Sequence, residues 1–178
     1  MTQAQHTASD VASLLAGRVA ALESQDAARR ALSRYMSLCD VPAPRDAHDA
    51  PAGELEALFT ADAVWEGVGA EYAAGFGRHI GPAAIVSFLR GYLPPAPHFR
   101  RNVHCLTSES LLAQGGTVRG HWILQQLSVY AGGQTELISA RLAVAFAIDT
   151  DGTARIRHFQ TERLSCTRLG TSPGEPPR

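Results

Sequence analysis

The stretch LISARLAVAFAID, Leu137–Asp149, decides the fold of this chain. Ile138, Ala140, Leu142, Val144, Phe146 and Ile148 occupy alternate positions, so an extended backbone sends all of them to one face. That period of two predicts a strand with one buried side. Working outward, His98–Thr107, Val118–Tyr130 and Ala154–Cys166 read as strands as well. Gln114-Gly115-Gly116, Ala131-Gly132-Gly133 and Asp151-Gly152 separate them, and paired glycines and Asp-Gly are hairpin turn signals. The second half of the chain is therefore expected to be an antiparallel meander of long strands. Strands of this length curve, and a curved sheet covered by helices encloses a cavity.

The first half supplies the helices. Val11, Leu14, Leu15, Arg18, Val19 and Leu22 recur at three- and four-residue spacing. Ser24 suits an N-cap, with Asp26 in the first turn, for a second helix through Leu38. Ala28, Ala31, Leu32, Tyr35, Met36, Leu38 and Cys39 make its apolar face too wide for solvent. Pro42 disfavours helical geometry at Val41, so that helix should stop near Asp40. A loop rich in Pro, Ala and Asp follows, then a short helix over Glu54–Phe59. Ala63–Glu66 and Tyr72–Phe76 suggest short strands, and His79 is placed in a loop. Gly81-Pro82 opens a helix that carries Ile85, Phe88, Leu89 and Tyr92 on one face. The expected organisation is a flexible N-terminus over 1–8, one domain over 9–167 and a Pro- and Gly-rich tail over 168–178.

Composition narrows the function. All 16 basic residues are Arg, balanced by 17 acidic ones, which removes the usual electrostatic ground for a nucleic-acid partner. No run reaches the roughly 20 apolar residues of a membrane span, and Met1–Asp10 has no signal-peptide character. Cys39, Cys105 and Cys166 are odd in number and widely spaced, as free thiols of a cytoplasmic protein would be. The histidines show neither an i, i+4 pair nor cysteine companions, so no metal is expected. No glycine-rich fingerprint follows a strand, so no nucleotide cofactor is expected either.

Several segments resemble the SnoaL-like domains of the nuclear-transport-factor-2-like superfamily, nearest to the bile-acid and scytalone dehydratases. AARRALSRYMSLCD, Ala27–Asp40, is similar to the family's first-helix signature, a Tyr followed five residues later by Asp. Leu58–Trp65, Gly81 before a helix, His98 and Asn102 opening a strand, and Gly120-His121-Trp122 opening another fit the same pattern. The resemblance implies an α+β cone-shaped barrel: a curved antiparallel sheet wrapped around a pocket that N-terminal helices close. It carries Tyr35, Asp40, His98 and Arg163 to catalytic positions. The acid implied on the long middle strand is Gln126 in this chain.

The chemistry of those groups is coherent. A carboxylate that accepts a hydrogen bond from one imidazole nitrogen fixes the tautomer and stabilises the imidazolium formed when the other nitrogen takes a proton. Tyr35 would polarise a carbonyl or protonate a leaving group, and Arg163 would stabilise an enolate or hold a carboxylate. A spacing of five is about 140° on an ideal helix, so Tyr35 and Asp40 cooperate only if the last turn unwinds before Pro42. Trp65, Phe88, Asn102, Trp122, Leu124, Gln126 and Phe159 are the expected pocket residues. Alternation puts Trp122, Leu124, Ser128 and Tyr130 on the face of Gln126, and Phe159 and Thr161 on that of Arg163. His104 and His121 are spares, with His121 on the face opposite Gln126. Each residue also has a structural reading: Asp40 as a turn cap, His98 as a surface residue, Tyr35 as core, Arg163 as a solvated edge charge. The expected function is a cofactor-free dehydratase-like lyase or isomerase for a hydrophobic ring-containing small molecule. The alternatives are a non-catalytic ligand-binding or assembly module, and the small subunit of an aromatic-ring dioxygenase. A homodimer or homotrimer is expected, with Val11–Leu22 against a neighbouring subunit.

Overall fold

A computed structural model of the chain describes residues 3–43, 53–96 and 98–171, with side chains from 9 to 170 within those spans. The order is α1 (Gln3–Cys39), α2 (Glu54–Ala57), β1 (Phe59–Val68), α3 (Gly69–Gly75), β2 (Arg78–Ile80), α4 (Pro82–Leu89), β3 (Phe99–Gln114), β4 (Thr117–Tyr130), β5 (Gln134–Ile148) and β6 (Ala154–Thr171). The fold class is the expected α+β, a long N-terminal helix on a six-stranded curved sheet.

The meander of β3 to β6 pairs antiparallel as its turns predict. Gly115 and Gly116 both have positive φ (57° and 73°), the geometry a two-residue hairpin turn needs and a side chain resists. The sheet order is β2-β1-β6-β5-β4-β3, so β6 lies in the interior although it is last in the chain. It meets β1 in parallel, which makes the sheet mixed, and β2 and β3 remain as open edges. Register shifts at Phe99/Arg101 and Thr107/Ser110 of β3, and at three points along β5–β6, bend these strands. β6 continues to Thr171, four residues past the domain boundary expected at 167, because Arg168 and Gly170 still pair with β5.

The core forms where α1 crosses the concave face. Ile138, Ala140, Leu142, Val144 and Phe146 are buried as alternation requires, and Ile148 is half-buried. Ala140, Leu142, Val144 and Phe146 meet Ala28, Ala31, Leu32, Tyr35, Met36 and Cys39 of α1 in one cluster, with Ile148 packed against it. Each large side chain removed from water here contributes about 1.5–3 kcal/mol.

Three local expectations are corrected. The two predicted N-terminal helices are one, because the Ser24 hydroxyl donates back to the Ala20 carbonyl inside the helix instead of capping a new one. Tyr72–Phe76 belongs to a helical segment and not a strand: the rings sit one helical turn apart, with centroids at 4.5 Å. Gly67 makes room for that turn, since a Cβ there would lie 2.2 Å from the Tyr72 carbonyl oxygen. His79, expected in a loop, lies in β2 and pairs with Trp65 of β1. The Pro-, Ala- and Asp-rich loop lies mostly outside the described residues, as does the tail after Thr171. No helix among the described residues is long and apolar enough to cross a membrane.

Candidate active site

A cavity of about 320 Å³ lies between the concave sheet face, α1, α3 and α4. Its wall is aromatic. Trp65 stacks on Phe159 with centroids 5.6 Å apart and planes within 6°, and Phe88 and Phe76 close on the same indole. Tyr35 packs on Phe159 and accepts a 3.0 Å hydrogen bond from the Trp65 indole N–H. Leu124, Ile138 and Leu142 complete an apolar lining of the kind small-molecule sites have.

One polar cluster centres on His104. α1 ends at Cys39, and the next residues cross to β3, where Val41 and Asn102 exchange two backbone hydrogen bonds of 2.8 Å. That bridge sets Asp40 beside β3. One carboxylate oxygen, Oδ1, accepts from His104 Nδ1 at 2.8 Å and from the His104 backbone N–H at 3.0 Å. Asp40 therefore does not act as a turn cap. Both side chains are largely buried, His104 at 10% and Asp40 at 17% exposure. The other ring nitrogen, Nε2, faces Asn102 Nδ2 at 3.3 Å. Asn102 Oδ1 in turn accepts from Gln126 Nε2 (2.9 Å) and from the Ser128 hydroxyl (2.8 Å).

The expected partner of Asp40 was His98, and the structure puts His104 there instead. Two residues of β3, Phe99 and Arg101, span a single step of β4. This bulge turns Phe99 inward with Tyr130, while Asn102 and His104 keep the inward face further along. His98 is left ahead of the strand, exposed, its ring edge-on to Tyr92 at 5.0 Å and Tyr130 at 5.7 Å on the cavity rim. His104 shares its strand face with Asn102, a residue already expected in the pocket. That alternation was the available signal.

A second polar cluster surrounds Arg163. Because β6 is an interior strand, this arginine is not a solvated edge charge. It is 24% exposed, lines the cavity, donates to Glu71 at 2.5 Å and lies 5.5 Å over the Tyr72 ring. The bond to Glu71 raises its pKa and holds its charge. Its Nε is buried with no hydrogen-bond partner among the described residues. Nearby, the Tyr130 hydroxyl donates to the buried Glu136 at 2.9 Å. Burial, then the bond to Glu136, pushes the Tyr130 phenol up to about 12. Neither carboxylate, Glu71 nor Glu136, was singled out from sequence.

Burial likewise raises Tyr35 well above the ordinary tyrosine value, with Cys39 adding to the effect, so its hydroxyl remains a proton donor. Cys39 is pushed up to about 12 by burial, which leaves an unreactive thiol in the cavity wall. Of the other expected pocket residues, Trp65, Phe88, Asn102, Leu124, Gln126 and Phe159 line the cavity and Trp122 does not. Trp122 faces inward, but further along β4 beside Leu32 of α1, where its indole donates to Glu109 at 3.3 Å. The inward face of β4 is longer than the cavity. No group of three or more His, Cys, Asp or Glu among the described residues could hold a metal ion.

Solved structures share this architecture. A type 2 hexachlorocyclohexane dehydrochlorinase (LinA) is 22% identical with a TM-score of 0.68, covering 88% of this chain and 95% of its own. A scytalone dehydratase-like protein of Novosphingobium aromaticivorans is 15% identical with a TM-score of 0.65, covering 87% and 93%. An NTF2-like protein with a cystatin-like fold from the same species is 22% identical with a TM-score of 0.61, covering 85% and 88%. At these identities the likeness establishes the fold alone. No curated protein sequence matches the chain. The profile of the SnoaL-like domain matches residues 20–160, well over half of the length, and it runs through the helix, the sheet and the cavity described above. The chain belongs to the SnoaL-like domain family.

Proposed function

We propose that this protein is a lyase or isomerase that removes a carbon-bound proton from a hydrophobic, ring-containing small molecule, with His104 as the base. The observation that carries the reading is the 2.8 Å contact between Asp40 and His104 Nδ1 at the edge of an aromatic cavity. The carboxylate holds the proton on Nδ1, which leaves Nε2 with the lone pair, and it stabilises the imidazolium that forms. The cavity suits a compact apolar substrate in volume and lining. Two of the similar structures carry the names of a dehydrochlorinase and a dehydratase, both eliminations.

Once substrate displaces the Asn102 amide from the Nε2 lone pair, proton transfer to Nε2 leaves the C–H electron pair on the substrate. In an elimination that pair forms the new double bond as the leaving group departs with its own bonding electrons. In an isomerisation it delocalises onto a carbonyl oxygen, and the imidazolium returns the proton at a second carbon. Tyr35, a neutral phenol, and Arg163, with its unpaired Nε, are the groups suited to meet negative charge on oxygen or the leaving group.

The test is solvent exchange. Cyclic ketones and cyclic hydroxy or halo compounds are incubated with the protein in D₂O, and deuterium incorporation or elimination is followed by NMR. His104→Gln is expected to slow the responding compound by roughly 10²- to 10⁴-fold, whereas His98→Ala changes it less than about tenfold. Equal rates for wild type and His104→Gln would overturn the assignment. Binding without exchange for every compound would favour a ligand-binding module.

The homo-oligomer expected from sequence belongs to the same proposal. It rests on Val11, Leu14, Leu15, Val19 and Leu22, each more than half exposed on the part of α1 that stands off the sheet. Sedimentation at micromolar concentration reads it directly, and a clean monomer would refute it.

A further inference from the structure

Gln126 makes no hydrogen bond to His104 among the described residues, yet it is tied to it through Asn102. The amide nitrogen of Gln126 reaches two oxygens at 2.9 Å, Asn102 Oδ1 and Ser128 Oγ. The Ser128 hydroxyl has its one proton free for Asn102 Oδ1, 2.8 Å away. Ser128 is fully buried and Asn102 is 4% exposed, so water is not an easy substitute for either partner. Two donors converging on Asn102 Oδ1 admit only an oxygen there. With the Gln126 amide nitrogen placed as it is, the reverse orientation of Asn102 would set NH₂ against NH₂ and leave buried donors unpaired. In this arrangement the Asn102 NH₂ faces His104 Nε2, at 3.3 Å. A donor facing a ring nitrogen requires a lone pair on it, while the carboxylate oxygen at Nδ1 requires a proton.

We infer that Gln126, with Ser128, is a positioning residue whose amide polarity passes through Asn102 to hold His104 as the neutral Nδ1–H tautomer. An amide at 126 is a donor and keeps Nε2 unprotonated. A carboxylate there accepts only, so Asn102 would turn its NH₂ to residue 126 and its oxygen to His104. Nε2 would then gain an acceptor, and with Asp40 on Nδ1 the ring would be held as imidazolium. One atom at position 126 thus chooses between a base and an acid at position 104.

Other groups also face the ring's surroundings. Asp40, Cys39 and Tyr35 come from α1 and the segment after it, and His98, Tyr130 and the Arg163–Glu71 pair line the same cavity. Asp40 and Arg163–Glu71 are common to every variant below, so they cancel in the comparison. The added charge of Gln126→Glu does not cancel, because residue 126 is the cross-strand neighbour of His104. A charge-neutral variant separates the two effects.

The inference deepens the proposed function, since its catalytic meaning rests on His104 being the base, but its readout needs no turnover. Full-length protein with ¹⁵N-labelled histidine is titrated by long-range ¹H–¹⁵N NMR, the His104 signals being those missing from His104→Gln. Wild type is expected to show a protonated Nδ1 and an unprotonated Nε2 at neutral pH, the minor tautomer of free histidine. Gln126→Glu should move the pH at which Nε2 gains its proton up by about one to two units. The Gln126→Met/Ser128→Ala pair frees Asn102 without adding charge and should move it up by at least about half a unit. Ser128→Ala alone, which removes one hydroxyl, serves where the pair does not fold. Nε2 protonated in wild type at neutral pH would overturn the inference. So would a shift seen only with Gln126→Glu, which is charge alone, or no shift in any variant. Loss of exchange activity in His98→Ala but not His104→Gln would instead overturn the proposed function and leave this result standing.

Discussion

Replacing Asp40 by Asn isolates one physical quantity, the charge that faces the imidazolium. Both hydrogen bonds of the side chain end on one oxygen, His104 Nδ1–H at 2.8 Å and the His104 backbone N–H at 3.0 Å. An asparagine can keep both, and the backbone N–H admits only an acceptor, so the new amide oxygen is held toward the ring. The tautomer of His104 is preserved and folding stability should change by less than about 1 kcal/mol. What disappears is the ionic part of the interaction once His104 has taken a proton. A charge-assisted bond exceeds a neutral one by about 1–1.5 kcal/mol, and two charges about 4 Å apart near a protein surface attract by up to about 4 kcal/mol. A loss of about 1–4 kcal/mol in the transition state slows the proton transfer by roughly 5- to 1,000-fold. The loss should fall on kcat, because Asp40 does not itself line the cavity. The assay is deuterium exchange or elimination with the compound found by screening, kcat and KM resolved, beside a melting curve. An Asp40→Asn variant with unchanged kcat, or with its whole loss in KM, would refute the view that Asp40 stabilises an imidazolium.

Three further outcomes are expected. Tyr35→Phe leaves the buried Trp65 indole N–H without its 3.0 Å acceptor and should cost about 1–3 kcal/mol, with a fall in Tm of about 2–4 °C per kcal/mol. Adding Trp65→Phe should recover part of that loss, and full additivity of the two would refute the bond's contribution. Cys39, pushed up to about 12, has roughly one thiolate in ten thousand molecules at pH 8 and should resist maleimide until the protein unfolds, while the exposed Cys105 and Cys166 react in the native state. Glu136 is drawn upward by burial but held below the ordinary carboxylate value by the bonds from Tyr130, Cys166 and Gln134 and by the Arg163 charge. Its stabilising effect is thus present at neutral pH and lost as pH falls through its lowered folded-state value. Glu136→Gln should cost about 1 kcal/mol in a denaturant titration at pH 7, and the gap to wild type should close well below pH ~4.

How much of this was legible in advance differs between the fold and the site. The alternation of Ile138 to Phe146 and the glycine pairs at 115–116 and 132–133 are local signals, so the meander and its buried face could be read directly. The Tyr72–Phe76 segment was misread because aromatic residues favour strands on average. The choice for helix is made by packing: a one-turn spacing that lets both rings reach the cavity, over a glycine at 67. The parallel docking of β1 on β6, and with it the interior position of Arg163, has no local signature at all.

By itself, the sequence determined that this chain is an α+β protein with a curved sheet, an apolar cavity and a short set of polar residues able to enter it. The sheet and its helices follow from side-chain period and turn chemistry, which act over a few residues, and the polar residues from the resemblance to SnoaL-like domains. Tertiary structure alone decided which histidine meets Asp40. His98, Asn102 and His104 share the same parity along the chain, and a one-residue bulge against β4 leaves His98 on the cavity rim while Asn102 and His104 keep the inward strand face. The Asp40–His104 contact joins positions 64 residues apart through a backbone bridge at Val41 and Asn102. The selection was made by register, a property of two strands in contact that neither strand carries alone.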